Sequence, residues 1–230
     1  MSKTFDNLAQ LARGYAQFQS TTYPENRALY QELFERGQAP ETMVIACCDS
    51  RADPAMIFDA RPGELFVVRN VANLVPPYEP HGDYHGTSAA LEFAVTGLAV
   101  RNIVVLGHAK CGGIKALLED TFDPAAAGAF IGKWMGIMKV ARGEVLAQTR
   151  GQSSAERQRA LELASIVTSL DNLMTFPFVQ DAVEVGRLHL HGAYFSIASG
   201  ELTVYRPESG DFVPFAEVVP PPPASGDGQA

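Results

Sequence analysis

The sequence predicts an α/β fold: a central, mostly parallel sheet flanked by helices, with an N-terminal helical arm and a C-terminal hairpin extending the sheet. Three observations predict it. Short β-branched runs at Thr42–Cys47, 65–69 and 102–106 have the continuous apolar character of strands buried on both faces. Helical periodicities fall between them, and strand–helix–strand alternation implies parallel strands joined by right-handed crossovers. Residues 187–206 then read as two strands joined at Ser199-Gly200, a dipeptide suited to a hairpin turn.

Taken in order, Phe5, Leu8, Leu11, Tyr15 and Phe18 recur every three or four residues, which predicts an amphipathic helix over 5–18. Thr22 and Glu25 have capping-box spacing with Pro24 in the first turn, predicting a second helix from 22 to 34 that Gly37 closes. Neither helix has a strand to pack on, so residues 1–36 are expected to form an arm that lies on a partner subunit. Residues 37–218 are the expected α/β domain. Within it, 87–100 and 112–119 read as helices and 126–186 is helical in pattern. The tail 219–230, four prolines and then ASGDGQA, is expected to be disordered.

At 230 residues the chain is long enough for a sizeable core, and 47% hydrophobic with 19% charged residues is an ordinary globular balance. The formal charge is −8 and no Lys/Arg run occurs, which argues against a nucleic-acid or anionic-membrane partner. No apolar run approaches a membrane span. The first residues, MSKTFDNLAQLARGYAQF, put an acid and polar groups where a secretory signal needs an apolar core. Cys47, Cys48 and Cys111 cannot all pair within the chain, so reduced thiols, free or on a metal, are expected, and with them a cytoplasmic setting. Neither G-x-G-x-x-G nor a P-loop occurs, so nucleotide binding has no support.

Two segments carry the chemistry. Ala46-Cys47-Cys48-Asp49-Ser50-Arg51 and Gly107-His108-Ala109-Lys110-Cys111-Gly112-Gly113 each follow a predicted strand immediately. Open α/β sheets place ligands beyond the carboxyl ends of their strands, so the two segments can converge. Thiolates and imidazole together select zinc. Strand alternation puts Cys47 and Asp49 on one side and sends Cys48 into the core. Cys47, His108 and Cys111 make three protein ligands and leave a fourth position for water, the pattern of a catalytic rather than a structural site. Asp49, paired with Arg51, could orient that water or itself take the fourth position in a closed state.

C-x-D-S-R followed by G-H-x-x-C-G-G resembles the β-class carbonic anhydrases. The likeness continues through 60–78, 86–95 and 188–202 and covers roughly 24–206. It implies a four-stranded parallel core, a dimer or higher even oligomer, zinc, and reversible hydration of carbon dioxide, in which zinc-bound hydroxide is oriented by the Asp49–Arg51 dyad. In the plant-type branch a Gln nine residues before the first cysteine contacts substrate across the dimer interface, and Gln38 matches it. The same alignment puts Phe66, Val71, Phe93 and Gly112 at the substrate, with Phe93 in place of that branch's usual Tyr. The other branch closes its site with a bicarbonate pocket that needs a Trp three residues before the cysteine. Val44 stands there, so Arg69, which matches that pocket's Arg, is not expected to form it.

Plainer readings apply elsewhere. His189 and His191 share a strand face and read as structural, and His81, Tyr84 and His85 read as loop residues, with a proton shuttle the alternative. A zinc hydrolase acting on carbon disulfide or carbonyl sulfide would keep the same motifs but use a narrow, closed tunnel. A non-catalytic bicarbonate sensor would lose the dyad or a zinc ligand, and both are intact.

Overall fold

The three β-branched runs become adjacent strands because each is apolar on both faces. In the computed structural model, which describes residues 3–81, 85–119, 128 and 130–218, these are β1 (Thr42–Cys47), β2 (Leu65–Asn70) and β3 (Asn102–His108). With β4 (His189–Phe195), β5 (Leu202–Arg206) and β6 (Asp211–Pro214) they form one sheet in the order β2-β1-β3-β4-β5-β6. The first four strands in that order are parallel, and β4, β5 and β6 are antiparallel neighbours. The hairpin therefore extends the sheet as expected. The sixth strand was not anticipated: it is four residues long and ends on a proline, too short for a periodic signal.

Both faces of β1 and β3 are buried. Met43, Ile45, Ile103 and Val105 pack with Leu91, Val95 and Phe176, while Val44, Ala46 and Leu106 pack with Ala193 and Phe58. In chain order the principal helices are α1 (Lys3–Gln17), α2 (Arg27–Arg36), α3 (Gly86–Glu92), α4 (Gly112–Leu117), α5 (Lys139–Gln148), α6 (Ser154–Leu173) and α7 (Pro177–Glu184). Helix α6 opens on a capping box between Ser153 and Glu156. It lies tight on the sheet, for a Cβ at Gly107 or Gly192 would come within 2.7 Å of Ile166. That contact brings α6 under the carboxyl end of β3, where the site lies.

The arm differs from its expected outline. Thr22 keeps helical angles (φ −62°, ψ −43°) and makes no capping bond, so the chain runs from α1 through a π-helical turn at Phe18–Thr22. Nothing before Thr22 breaks a helix, and Phe18 packs on Tyr23 and Tyr30 with ring centroids 6.0 and 6.2 Å apart. The break falls at Asn26 instead (φ −104°, ψ 11°). Gly37 does end α2, with φ +79°, a conformation glycine adopts freely. The helix expected over 87–100 likewise gives way to a π-helical turn at Phe93–Gly97. The tail 219–230 lies outside the described residues.

Candidate metal centre

Cys47 and His108 are the last residues of neighbouring parallel strands, so both stand at the carboxyl edge of the sheet. Cys111 joins them through a tight turn in which Lys110 has φ +57° and Cys111 precedes the first turn of α4. The three donor atoms lie within 4.8 Å of one another, and the two sulfurs are 3.9 Å apart. All three residues are buried, at 6%, 1% and 2% exposure. The Nδ1 of His108 is 2.9 Å from the Ala109 carbonyl oxygen. A carbonyl only accepts, so Nδ1 carries the proton and Nε2 presents its lone pair. That Nε2 is buried and has no hydrogen-bond partner among the described residues.

The two sulfurs are close enough to share a proton. The hydrogen bond with Cys111 pulls the Cys47 thiol well below its ordinary range, although burial pushes it up. The same bond and burial push Cys111 the other way. Two buried sulfurs, one of them held towards thiolate, with an imidazole nitrogen beside them that has no hydrogen-bond partner among the described residues, fit a thiophilic divalent metal through Cys47, His108 and Cys111, with one position left over.

Beside the triad, Asp49 Oδ2 is 3.9 Å from His108 Nε2. Arg51 grips this carboxylate in a fork, Nε to Oδ1 at 2.8 Å and Nη2 to Oδ2 at 2.7 Å, and adds its backbone N–H to Oδ1 at 3.0 Å. That grip holds the Asp49 carboxyl far below the usual carboxylate range. Arg51 Nη2 also donates to the Lys110 carbonyl at 3.1 Å, tying the two motifs together. Arg69 braces the same loop from behind: Nε donates to Cys47 O at 3.0 Å, Nη2 to Asp49 O at 2.7 Å, and Nη1 pairs with Asp53 at 2.6 Å. Each of its nitrogens is thus engaged within the protein.

One expectation is overturned. Cys48 is exposed and not in the core. β1 ends at Cys47, and burial on the Val44/Ala46 face stops at Ala46, so strand alternation no longer carries the next side chain under a covering layer. Its backbone still donates to Asn70 O at 2.8 Å.

The sequence model of the carbonic anhydrase family matches residues 42–202. Beta carbonic anhydrase 3 of Arabidopsis thaliana is 34% identical over 206 residues, spanning 89% of this chain and 79% of that protein. The chain belongs to the β-carbonic anhydrase family. Solved members share the fold. The β-carbonic anhydrase CcaA superposes with a TM-score of 0.83 at 31% identity, over 91% of this chain and 92% of its own. One of two tetrameric β-carbonic anhydrases from the filamentous ascomycete Sordaria macrospora gives 0.75 at 28% identity, over 88% and 97%.

Of the residues that β-carbonic anhydrase resemblance puts at the substrate, Phe66 and Phe93 meet with ring centroids 5.9 Å apart. Val71 directly follows β2 and sits against Gly113, where a Cβ would come within 3.0 Å of its Cγ1. Gly112 opens α4 with clear space around its Cα. Gln38 is not brought to them. It precedes the amino end of β1 while Cys47 closes the carboxyl end, and a six-residue strand separates its ends by about 17–20 Å. His189 and His191 are exposed, and among the described residues neither joins a cluster of three metal-ligating side chains. His81 is exposed, His85 lines a cleft with Asn70 and Val71, and Tyr84 lies outside the described residues. Sequence reading took 126–186 as plain helix and so missed two contributions. Trp134 Nε1 donates to Val71 O at 2.8 Å, and Glu162 accepts from the Cys111 backbone N–H at 3.0 Å.

Proposed function

We propose that this protein catalyses the reversible hydration of carbon dioxide to bicarbonate and a proton, with zinc held by Cys47, His108 and Cys111. The observation that carries the proposal is the buried His108 Nε2, without a hydrogen-bond partner among the described residues, beside two sulfurs 3.9 Å apart, with an Arg51-clamped carboxylate 3.9 Å away. Two thiolates and an imidazole are a zinc donor set. Zinc, when bound, supplies a Lewis acid that makes a water molecule easier to ionise.

The chain's own residues do the rest. Asp49 stays ionised beside Arg51, so it can only accept hydrogen bonds, and Oδ2 is placed to take one from the reacting water and aim its lone pair. Arg51 holds Asp49 away from the metal position through its two-point fork on the carboxylate. Phe66, Val71 and Phe93 supply an apolar wall for a substrate without net charge or dipole. Gly112, in the first turn of α4, offers a backbone N–H with no intrahelical acceptor. Gln38 supplies a neutral hydrogen bond from a second subunit.

That last role requires a homodimer or higher even oligomer, with residues 1–36 lying on the partner. Leu8, Leu11 and Tyr15 on α1 are 60%, 70% and 61% exposed, an apolar stripe that favours a partner surface. The Sordaria macrospora relatives are tetrameric. The reduced thiols suit a cytoplasmic setting. A hydrolase of carbon disulfide or carbonyl sulfide would keep the same metal motif, and release of sulfide from either compound would identify it.

Stopped-flow hydration of carbon dioxide, run on metal-analysed protein before and after chelation and again after zinc is restored, tests the proposal. Activity should track zinc content. Fully zinc-loaded protein without hydration activity would overturn it.

A further inference from the structure

Helix α6 carries a buried polar stripe. Gln158, Glu162, Ser165 and Ser169 recur at steps of four, three and four, and none is more than 7% exposed. Their partners include the backbone at Cys111 and that of the Asn73–Val75 segment after β2. Ser169 Oγ accepts from Val75 N–H and donates to Asn73 O, both at 3.2 Å. Asn73 Nδ2 donates to Ser165 Oγ at 3.3 Å, and Gln158 Nε2 reaches Cys111 O at 3.4 Å. Glu162 sits at the centre. Its Oε1 accepts from the Cys111 backbone N–H at 3.0 Å and from Gln158 Nε2 at 2.8 Å, and its Oε2 accepts from Tyr194 Oη at 2.9 Å. Three donors converge on two oxygens, the pattern a carboxylate satisfies.

We propose that Glu162 is a positioning residue for the metal centre: its hold on the Cys111 backbone N–H sets the direction of the Cys111 sulfur. The proposal rests on Cys111 being a zinc ligand. Local chain preference does not set that direction. Cys111 stands between Lys110, at φ +57°, and two glycines, and a Cβ at Gly112 would touch nothing within 4 Å. The peptide before the sulfur needs an outside anchor, and a charged acceptor makes the stronger bond. Glu162 is itself fixed by Gln158 and Tyr194, and the Arg159 guanidinium lies 5.1 Å from the centroid of the Tyr194 ring. Among the described residues no Lys or Arg pairs with Glu162. A buried carboxylate without a cation costs stability, which an apolar residue in the same space would spare. Its position is therefore explained by the bonds it accepts.

The test is the rate at which the zinc-loaded enzyme releases its metal to a chromophoric chelator, with the visible spectrum of the cobalt-substituted protein as a second readout. Glu162→Ala should release zinc roughly 10–100-fold faster, the usual scale for losing a group behind a ligand. Glu162→Asp, one methylene too short to span Cys111 and Tyr194, should also be faster, and it carries the test should the Ala variant not fold. Glu162→Gln keeps an oxygen for the Cys111 N–H, so both its release rate and its cobalt spectrum should return close to wild type. Wild-type release from the Asp and Ala variants, or a Gln variant as fast as Ala, overturns the proposal. Retention of zinc by Cys111→Ser would instead show that the ligand assignment beneath it was wrong.

Discussion

Cys47, His108 and Cys111 are each at most 6% exposed, whereas Phe93 is 51% and Val71 36% exposed and Gln38 lies on the surface. The metal half of the site is finished within one chain. Its two loops are tied to each other through Arg51 and Lys110, and the second of them to α6 through Glu162. The substrate half is a partial wall, and the arm before it presents Leu8, Leu11 and Tyr15 to solvent. The difference teaches that the two halves answer to different forces. Directional hydrogen bonds and a buried donor set fix the metal ligands, while the proposed substrate wall depends on apolar contact with a second copy.

Several substitutions would break or sharpen that contrast. The largest effect belongs to Cys111→Ser, which should lose most of the zinc, and activity with it, by metal analysis and stopped flow. Full zinc occupancy there would break the metal half. Asp49→Ala and Arg51→Ala should keep zinc yet lower turnover by about 10²-fold, the scale of a misoriented reactant. Zinc loss in either would move the pair from orientation to binding. Leu11→Asp should weaken self-association in sedimentation and reduce activity at low protein concentration while zinc stays bound. A fully active monomer would refute the shared substrate wall. Gln38→Ala should cost roughly tenfold in kcat/KM, one neutral hydrogen bond, with zinc unchanged. The smallest effect is Cys48→Ser: zinc and turnover unchanged, and stability within about 0.5 kcal/mol by thermal unfolding, as for an exposed site.

The sheet and the meeting of Cys47, His108 and Cys111 were legible in the sequence for one reason. Apolar strand runs end immediately before both motifs, and parallel strands bring their carboxyl ends together. Cys48 was misplaced because alternation is a property of the strand, and the strand stops one residue earlier. The capping box at Thr22 was a spacing match without a break in the helix ahead of it. The polar stripe of α6 was visible as Gln158, Glu162, Ser165 and Ser169, but its meaning was not. Its partners at Cys111 and at Asn73–Val75 lie 47 to 96 positions away along the chain, and only tertiary packing reveals them.

X-ray absorption at the zinc edge, at pH 8, on wild-type and Cys48→Ser protein tests most directly the claim that Cys47, His108 and Cys111 hold zinc with one position open. Two sulfurs at about 2.3 Å, one imidazole nitrogen at about 2.0 Å and one further light atom are expected, with identical spectra for the two proteins. Three sulfurs, or a sulfur lost on replacing Cys48, would contradict it.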